Sequence, residues 1–290
     1  MKIEVTIMNA FAVNESGGNK AGIVYNQIAL SNDEKQLIAK KVGVSETVFI
    51  NKKENNNFDV SFFTPNKEVD LCGHGTIAAF QLLLDKNIIS KGEYVQITRA
   101  GILEIIINNE NQIFMEQNKP EYLKIIKDRL SIAESLNISE NEIIKSFPIQ
   151  IVSTGLKDIM IGVRNNEILD NIKPNFEKIL KISKKYQVVG YHVFSLEKEG
   201  EETANCRNFA PFYGIDEECA TGTSSGALVG FLFKYNLTNE NEYQNIFFLQ
   251  GKAMGSLSRI NAKTIIKNKE INKIFIGGNA DYIKKIEISD

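Results

Sequence analysis

The 290 residues carry a formal net charge of -2 and a 43% hydrophobic composition. That charge excludes a general attraction to nucleic acid or anionic lipid, and the apolar content fills one large core or two medium ones, with domain-size statistics favouring two. Three cysteines form an odd set, too sparse for a disulfide framework, which fits a reducing, cytoplasmic setting.

The chain opens with Met1-Lys2-Ile3-Glu4-Val5-Thr6-Ile7, where Glu4 interrupts a period-two apolar pattern as in a strand and unlike a signal peptide. Ser31-Asn32-Asp33-Glu34 fits a capping box, with Leu37, Ile38 and Val42 on one helical face and a stop at Gly43. A strand then starts near Glu46, and further strands are expected over Phe58 to Phe62, Tyr94 to Thr98 and Ile102 to Ile107. The Asn/Gln/Lys-rich stretch Asn108 to Lys119, ending at Pro120, reads as the linker between two lobes. Beyond it Glu121 to Glu142 adds helix, followed by strands over Ile149 to Ser153, Ile159 to Val163, Val188 to Phe194 and Ile246 to Leu249. Asn175 to Tyr186, after Pro174, has helical spacing of Phe176, Ile179, Leu180 and Ile182. The longest apolar run, Ala227 to Phe233, is far shorter than the roughly 20 residues that span a bilayer.

Two helices, Thr76 to Leu84 and Thr223 to Lys234, have almost no polar face and are expected at the centres of their lobes. What precedes them repeats. Phe63-Thr64-Pro65 leads to Cys72-Gly73-His74-Gly75-Thr76, and Phe209-Ala210-Pro211 leads to Cys219-Ala220-Thr221-Gly222-Thr223. Such a repeat points to two similar halves packed about a pseudo-twofold axis, with both helix starts facing one interlobe cleft. Helix N-termini bring unpaired N–H groups and partial positive charge, so the expected ligand carries a carboxylate.

Several motifs lead elsewhere only on the surface. Gly222-Thr223-Ser224-Ser225-Gly226 fits a nucleophile elbow, but no histidine follows His192 to complete a hydrolase triad. Cys72, His74, Cys206 and Cys219 match no common zinc spacing, and no glycine-rich nucleotide fingerprint follows a strand. His192 and Cys206 read as packing residues. Glu46, between Val44 and the apolar Val48 and Phe49, is placed for a burial-raised pKa and general acid/base work; otherwise it is a surface or capping carboxylate. Cys72 and Cys219 before the two helices could act as thiol bases activated by the helix dipole, or simply fill space.

Taken in order, Asn9-Ala10-Phe11, Gly18-Asn19, Ser45-Glu46-Thr47-Val48-Phe49, Phe63-Thr64-Pro65, Asp70-Leu71-Cys72-Gly73-His74-Gly75-Thr76, Ala100-Gly101, Phe209-Ala210-Pro211, Ala220-Thr221-Gly222-Thr223, Gln250-Gly251, Met254-Gly255 and Gly277-Gly278 make the chain resemble the PhzF-like isomerases. These share the wider fold of diaminopimelate epimerase and proline racemase. The resemblance implies an α+β chain of two pseudo-twofold lobes, each a curved, mostly antiparallel, barrel-like sheet around one central helix. The lobes are expected at 1–117, with 281–290 a candidate to complete the first, and 118–280. It also implies a cofactor-free and metal-free homodimer that acts on a small carboxylate metabolite. Its catalytic glutamate matches Glu46, its first-motif histidine His74, its second-motif acid Glu218, and the hydroxyl after the glycine Thr223; Ser45, Gly73, Gly75 and Gly222 stand with them as substrate-binding positions.

The chain departs from the family pattern at Lys20, at Glu218-Cys219 and at Ser256-Leu257, where proline, aspartate-proline and arginine-proline are usual. Cys72 and Cys219 also stand where the epimerases and racemases of the fold keep two catalytic thiols. The expectation is therefore a proton-shifting isomerase using Glu46, with a two-thiol racemase or epimerase and a catalytically idle metabolite-binding homologue as the alternatives.

Overall fold

The computed structural model describes residues 2–14, 17–25, 30–239, 243 and 245–289. It is an α+β chain in two compact units: Met1–Glu116 with Gly277–Asp290, and Gln117–Ile276.

The first unit runs β1 (Ile3–Ala10), β2 (Asn19–Tyr25), α1 (Asn32–Val42), β3 (Glu46–Lys52), β4 (Asn57–Phe63), β5 (Glu68–Val69), α2 (Gly73–Asp85), β6 (Gly92–Thr98), β7 (Gly101–Ile107) and β8 (Ile113–Gln117). The chain's closing strand, Ala280–Ile288, pairs antiparallel with β1. From β1 the order is β1-β2-β3-β4-β6-β7-β8, with β5 beside β4. The β2–β3 and β4–β6 pairs are parallel and the others antiparallel. α1 is fixed at both ends by its sequence: Ser31 and Glu34 form the capping box, and Gly43 closes the helix at φ 69°. It covers one sheet face through Ile38 and Ala39 against Val5, Val24 and Phe49. α2 is buried continuously from His74 to Leu83. Phe80 on it meets Phe58 edge-on, with ring centroids 5.3 Å apart.

The second unit runs β9 (Glu121–Ile126), α3 (Arg129–Leu136), β10 (Ile149–Ser153), β11 (Lys157–Val163), α4 (Asn166–Asn171), α5 (Phe176–Tyr186), β12 (Gly190–Ser195), β13 (Ala204–Ala210), β14 (Ile215–Glu218), α6 (Gly222–Lys234), β15 (Ile246–Gln250), β16 (Ser258–Lys267) and β17 (Glu270–Gly278). Its order is β9-β10-β11-β12-β13-β15-β16, with β14 beside β13. The β11–β12 and β13–β15 pairs are parallel, at the same two places as in the first unit. Helices α3, α4 and α5 contribute Ile132, Leu136, Leu169 and Ile179 to one apolar cluster. α6 is the buried counterpart of α2, with Phe231 against Phe194 and Phe147.

Three local expectations change. The stretch read as a linker carries strand β8, because Ile113, Phe114 and Met115 are buried while the polar residues cluster on either side. The helical reading of Glu121 to Glu142 splits into β9 and a shorter helix, α3. Cys219 is not at a helix start: Thr221 is the N-cap of α6, so Cys72, the N-cap of α2, corresponds to Thr221. The sequence match of the two cysteines is offset by two residues from the match of the helices. Among the described residues no helix is long and apolar enough to cross a membrane.

Candidate active site

At one end of α2 the first unit gathers side chains from three elements. β2 starts with Asn19, β3 starts with Glu46 directly after Ser45, and Cys72, Gly73, His74 and Gly75 form the cap and first turn of α2. The parallel register pairs Ala21 with Glu46 and so brings Ser45 level with Lys20, the residue after Asn19. Ser45 Oγ lies 3.1 Å from Asn19 Oδ1 and 2.8 Å from the Lys20 carbonyl. Gly75 lets the helix press onto β3: a Cβ there would stand 2.9 Å from Val48 Cγ2 and 3.1 Å from Cys72 Sγ.

His74 is the hub. Its Nε2 is 3.0 Å from Glu46 Oε2 and 3.3 Å from Ser45 Oγ. Its Nδ1 is 3.3 Å from the Asn19 amide and 3.4 Å from Cys72 Sγ, while Gly75 N donates to that sulfur at 3.3 Å. The side chains of His74 and Glu46 are only 6% and 14% exposed, so the pair sits in a medium that strengthens its attraction. Burial pushes the Glu46 carboxyl up, but the His74 charge and hydrogen bonds from His74, Ser45 and Cys72 outweigh it and hold it below the ordinary value. The burial-raised Glu46 expected from sequence is thus corrected, because its apolar flanks are not its nearest neighbours.

Burial likewise opposes a charged His74, yet the Cys72 sulfur and the Glu46 carboxylate outweigh it and lift the imidazole well above its ordinary value. The Cys72 thiol is pushed up, by burial first and then by the Glu46 charge, so the helix dipole does not make it a ready thiolate. The resting pair is Glu46 carboxylate and His74 imidazolium. A doubly protonated ring asks Asn19 to meet Nδ1 through its amide oxygen, leaving Ser45 to the Lys20 carbonyl.

Glu46, Cys72 and His74 also bring three potential metal donors within 4.8 Å of one another. Cys72 Sγ is 3.4 Å from Nδ1 and 3.7 Å from Nε2, which puts it over the ring rather than in line with either lone pair. Tetrahedral zinc would require one of the two side chains to turn.

The remaining expected site residues lie in the second unit. Glu218 ends β14, and its Oε2 accepts from Thr221 Oγ1 at 2.6 Å. Gln250 braces the same corner: Nε2 donates to the Glu218 carbonyl at 2.8 Å, and Oε1 accepts from Thr221 N at 3.3 Å. Because the Thr221 hydroxyl turns to Glu218, no side chain of the N-cap closes the start of α6. Gly222 and Thr223 lead its first turn, and Thr154 Oγ1 holds the Thr223 carbonyl at 2.9 Å. Cys219 is half-buried, and Cys206 and His192 are fully buried. Asn19 was absent from the expected site residues, although Gly18-Asn19 stood among the family motifs; its signal was the polar pair Asn19-Lys20 heading an otherwise apolar strand. A groove lined by Ile132, Lys181 and Tyr186 between α3 and α5 shares none of these residues.

A buried carboxylate–imidazolium pair thus stands at a helix start on a repeated α+β frame. The sequence model for phenazine biosynthesis-like proteins (PhzC-PhzF) matches residues 8–285, and the chain belongs to that family. An uncharacterized isomerase of Clostridium acetobutylicum is 33% identical over 97% of this chain and 96% of its own. The crystal structure of a Bacillus anthracis phenazine biosynthesis protein of the PhzF family, 29% identical, covers 100% of both chains with a TM-score of 0.88. A predicted epimerase from Pseudomonas aeruginosa, 19% identical over 99% of each chain, shares the fold with a TM-score of 0.79.

Proposed function

We propose that the enzyme moves a proton within a small carboxylate-bearing substrate, with Glu46 removing it from one carbon and returning it to another, and with no metal or organic cofactor. The observation that carries this reading is the 3.0 Å Glu46–His74 pair at the start of α2, which keeps the glutamate ionised and ready to accept. Deprotonating carbon beside a carboxylate builds negative charge on the substrate, and a fixed imidazolium together with the helix-end amides of Gly73 and His74 is suited to receive it. A substrate carboxylate approaching His74 would compete with Glu46 for the imidazolium. That competition returns basicity to Glu46 at the moment it is needed, since burial then acts on it with less opposition. The protonated Glu46 delivers its proton to the second carbon, so charge and atoms balance without any external reagent.

The two-thiol reading keeps one supporting observation, the contact of Cys72 with His74. Against it stand the raised Cys72 thiol and the position of Cys219 ahead of the α6 cap.

The decisive measurement is solvent deuterium uptake. Small cyclic or unsaturated carboxylates and amino acids are incubated with enzyme in D2O and read by mass spectrometry and proton NMR. Turned-over substrate should carry deuterium at a shifted position, and Glu46→Gln should lower the rate at least about a hundredfold while leaving ligand binding and fold intact. Uptake by Glu46→Gln near the wild-type rate rejects the assignment.

A further inference from the structure

Asn19, which the proposed reaction does not use, holds His74 at the ring nitrogen turned away from Glu46. Its Nδ2 is 3.3 Å from His74 Nδ1, and its Oδ1 is 3.1 Å from Ser45 Oγ. The neighbouring strand fixes the residue from behind. Asn9 of β1 donates a side-chain hydrogen bond to the Gly17 carbonyl, and Ala10 pairs with Asn19 across the β1–β2 ladder. Gly18, at φ 84°, lies flat on β1: a Cβ there would stand 2.6 Å from Asn9 Oδ1 and 2.7 Å from the Ala10 carbonyl oxygen. The Asn9-Ala10 and Gly18-Asn19 motifs therefore meet at one place and hold the Asn19 backbone, while its amide keeps a half-turn about its last bond.

The groups around His74 make both settings of that amide self-consistent. Glu46 of β3 stands at Nε2, Cys72 of the α2 cap lies over the ring beside Nδ1, and Ser45 lies between Nε2 and Asn19. Lys20 offers its carbonyl to Ser45 and leaves its side chain exposed. Since the carboxylate keeps the Nε2 proton, the proton that leaves as pH rises is the one on Nδ1. With the ring charged, Asn19 Oδ1 accepts from Nδ1, its NH2 donates to Ser45 Oγ, and Ser45 donates to the Lys20 carbonyl 2.8 Å away. With the ring neutral the amide turns, its NH2 donates to the bare Nδ1, and Ser45 swings its hydrogen to Oδ1. Each arrangement satisfies the ring, the amide and the hydroxyl. His192 has no such choice: Asn208 Nδ2 serves His192 Nδ1 at 3.2 Å and Ser224 Oγ at 3.1 Å, so that amide turns only by losing both contacts.

We propose that Asn19 is the positioning residue that sets the charge of His74: its amide oxygen holds the Nδ1 proton of the imidazolium facing Glu46, and a half-turn of the same amide receives the ring when that proton leaves. Hydrogen bonds to a charged group are the stronger kind, so the amide favours the imidazolium. The positioning role rests on the reading that this imidazolium serves the Glu46 reaction.

The first half of the test needs no substrate. The chain holds two histidines, so nitrogen-15 labelling of histidine gives one titrating ring and one internal control, His192, which burial drives down to about 3. In the wild type the His74 titration should strip Nδ1 and leave Nε2 protonated. Asn19→Leu should lower the midpoint by about one pH unit, a roughly tenfold change, the difference between bonding a charged and a neutral ring. Asn19→Asp, nearly isosteric and able only to accept, should raise it by about one unit or more, and it carries the test if the leucine variant does not fold. The His192 signals should stay in place. Loss of the proton from Nε2 in the wild type, or an unmoved His74 midpoint in Asn19→Asp, overturns the proposal and leaves the Glu46 reading standing. The second half follows the alkaline limb of kcat/KM on a substrate found by deuterium uptake, which should move with the His74 midpoint in each variant. A limb that stays while the midpoint moves rejects the use of the imidazolium in the reaction, and the positioning role falls with it.

Discussion

Glu46 and Gly190 hold the same place in their respective units, but only one has room for a side chain. Each starts the strand that pairs in parallel with the second strand of its unit, Glu46 opposite Ala21 and Gly190 opposite Asp158. The match continues from Val48 opposite Phe62 to His192 opposite Asn208, and from Cys72 to Thr221 as helix caps. At Gly190 a Cβ would fall 1.7 Å from the Phe209 carbonyl oxygen, so the second unit has closed the space in which the first keeps its base. Polarity is exchanged behind the helices as well. Where the first unit packs Val48, Phe62 and Gly75, the second has His192, Asn208 and Ser224. One frame thus carries a charged pair at its helix start, and the other carries a hydrogen-bonded polar network beneath it. Duplication of a fold does not duplicate its chemistry, and this asymmetry suits a single acid/base better than two opposed ones.

After Glu46→Gln, the largest expected effect comes from His74→Gln. It removes the charge that most holds Glu46 down, so burial is opposed only by the Ser45 and Cys72 hydrogen bonds and the glutamate's pKa rises. Wild-type kcat/KM requires Glu46 ionised and His74 protonated. It should fall as pH drops through the lowered carboxyl value and again as pH rises through the raised imidazole value. In His74→Gln the acid limb should move to higher pH and the alkaline limb should vanish. Plateau turnover should drop roughly hundredfold, the scale for losing one donor to developing negative charge. A pH profile shaped like the wild type would show that the pair is only a packing contact.

Gly190→Ala tests the second side of the comparison. The carbonyl oxygen it meets belongs to the neighbouring strand, so β12 and β13 must move apart. Destabilisation of about 1–3 kcal/mol or more is expected in denaturant titration. Ala21→Ser, at the place matching Asp158 in the first unit, gives the control for a small added group beside a strand pairing. Equal stability of Gly190→Ala and wild type would mean that the space at Gly190 is not closed.

Much of this was legible in the sequence because it depends on local chemistry. The Ser31–Glu34 capping box, the Gly43 stop, the helical spacing that gives α5 and the apolar faces of α2 and α6 are written within a few residues of where they act. The motifs around Glu46 and His74 were also readable, although only folding shows that β2, β3 and α2 bring them within 3.0 Å. What stayed hidden depends on distant partners. The direction of the Glu46 shift is set by a histidine 28 positions away, and no window around Ser45-Glu46-Thr47 contains it. β8 was obscured by polar neighbours, although three successive buried residues carry it. The offset of Cys219 from Cys72 could not be seen until both helix starts were fixed by their hydrogen bonds.

The smallest expected effects fall on the thiols, and they sharpen the comparison most. Cys72 is a buried cap whose sulfur accepts from Gly75 N and rests on His74, with its proton held by burial and by the Glu46 charge. Serine preserves the cap, since a hydroxyl accepts from the first-turn amide at least as well. Cys72→Ser should therefore cost only a few-fold in turnover if Glu46 does the chemistry. Cys219, in the link before the α6 cap, should tolerate serine with still less loss. If two thiols act as opposed bases, either serine variant should lose several orders of magnitude, and mild oxidation joining them should stop turnover until a reductant is added. The isotope pattern separates the same two cases. A racemase places solvent deuterium at one stereocentre of both substrate and product, whereas a proton shift places it at the carbon that gains hydrogen. Inactivity of both serine variants on a substrate that shows uptake would move the chemistry from the carboxylate to the thiols, and near-normal turnover by both leaves Glu46 as the base.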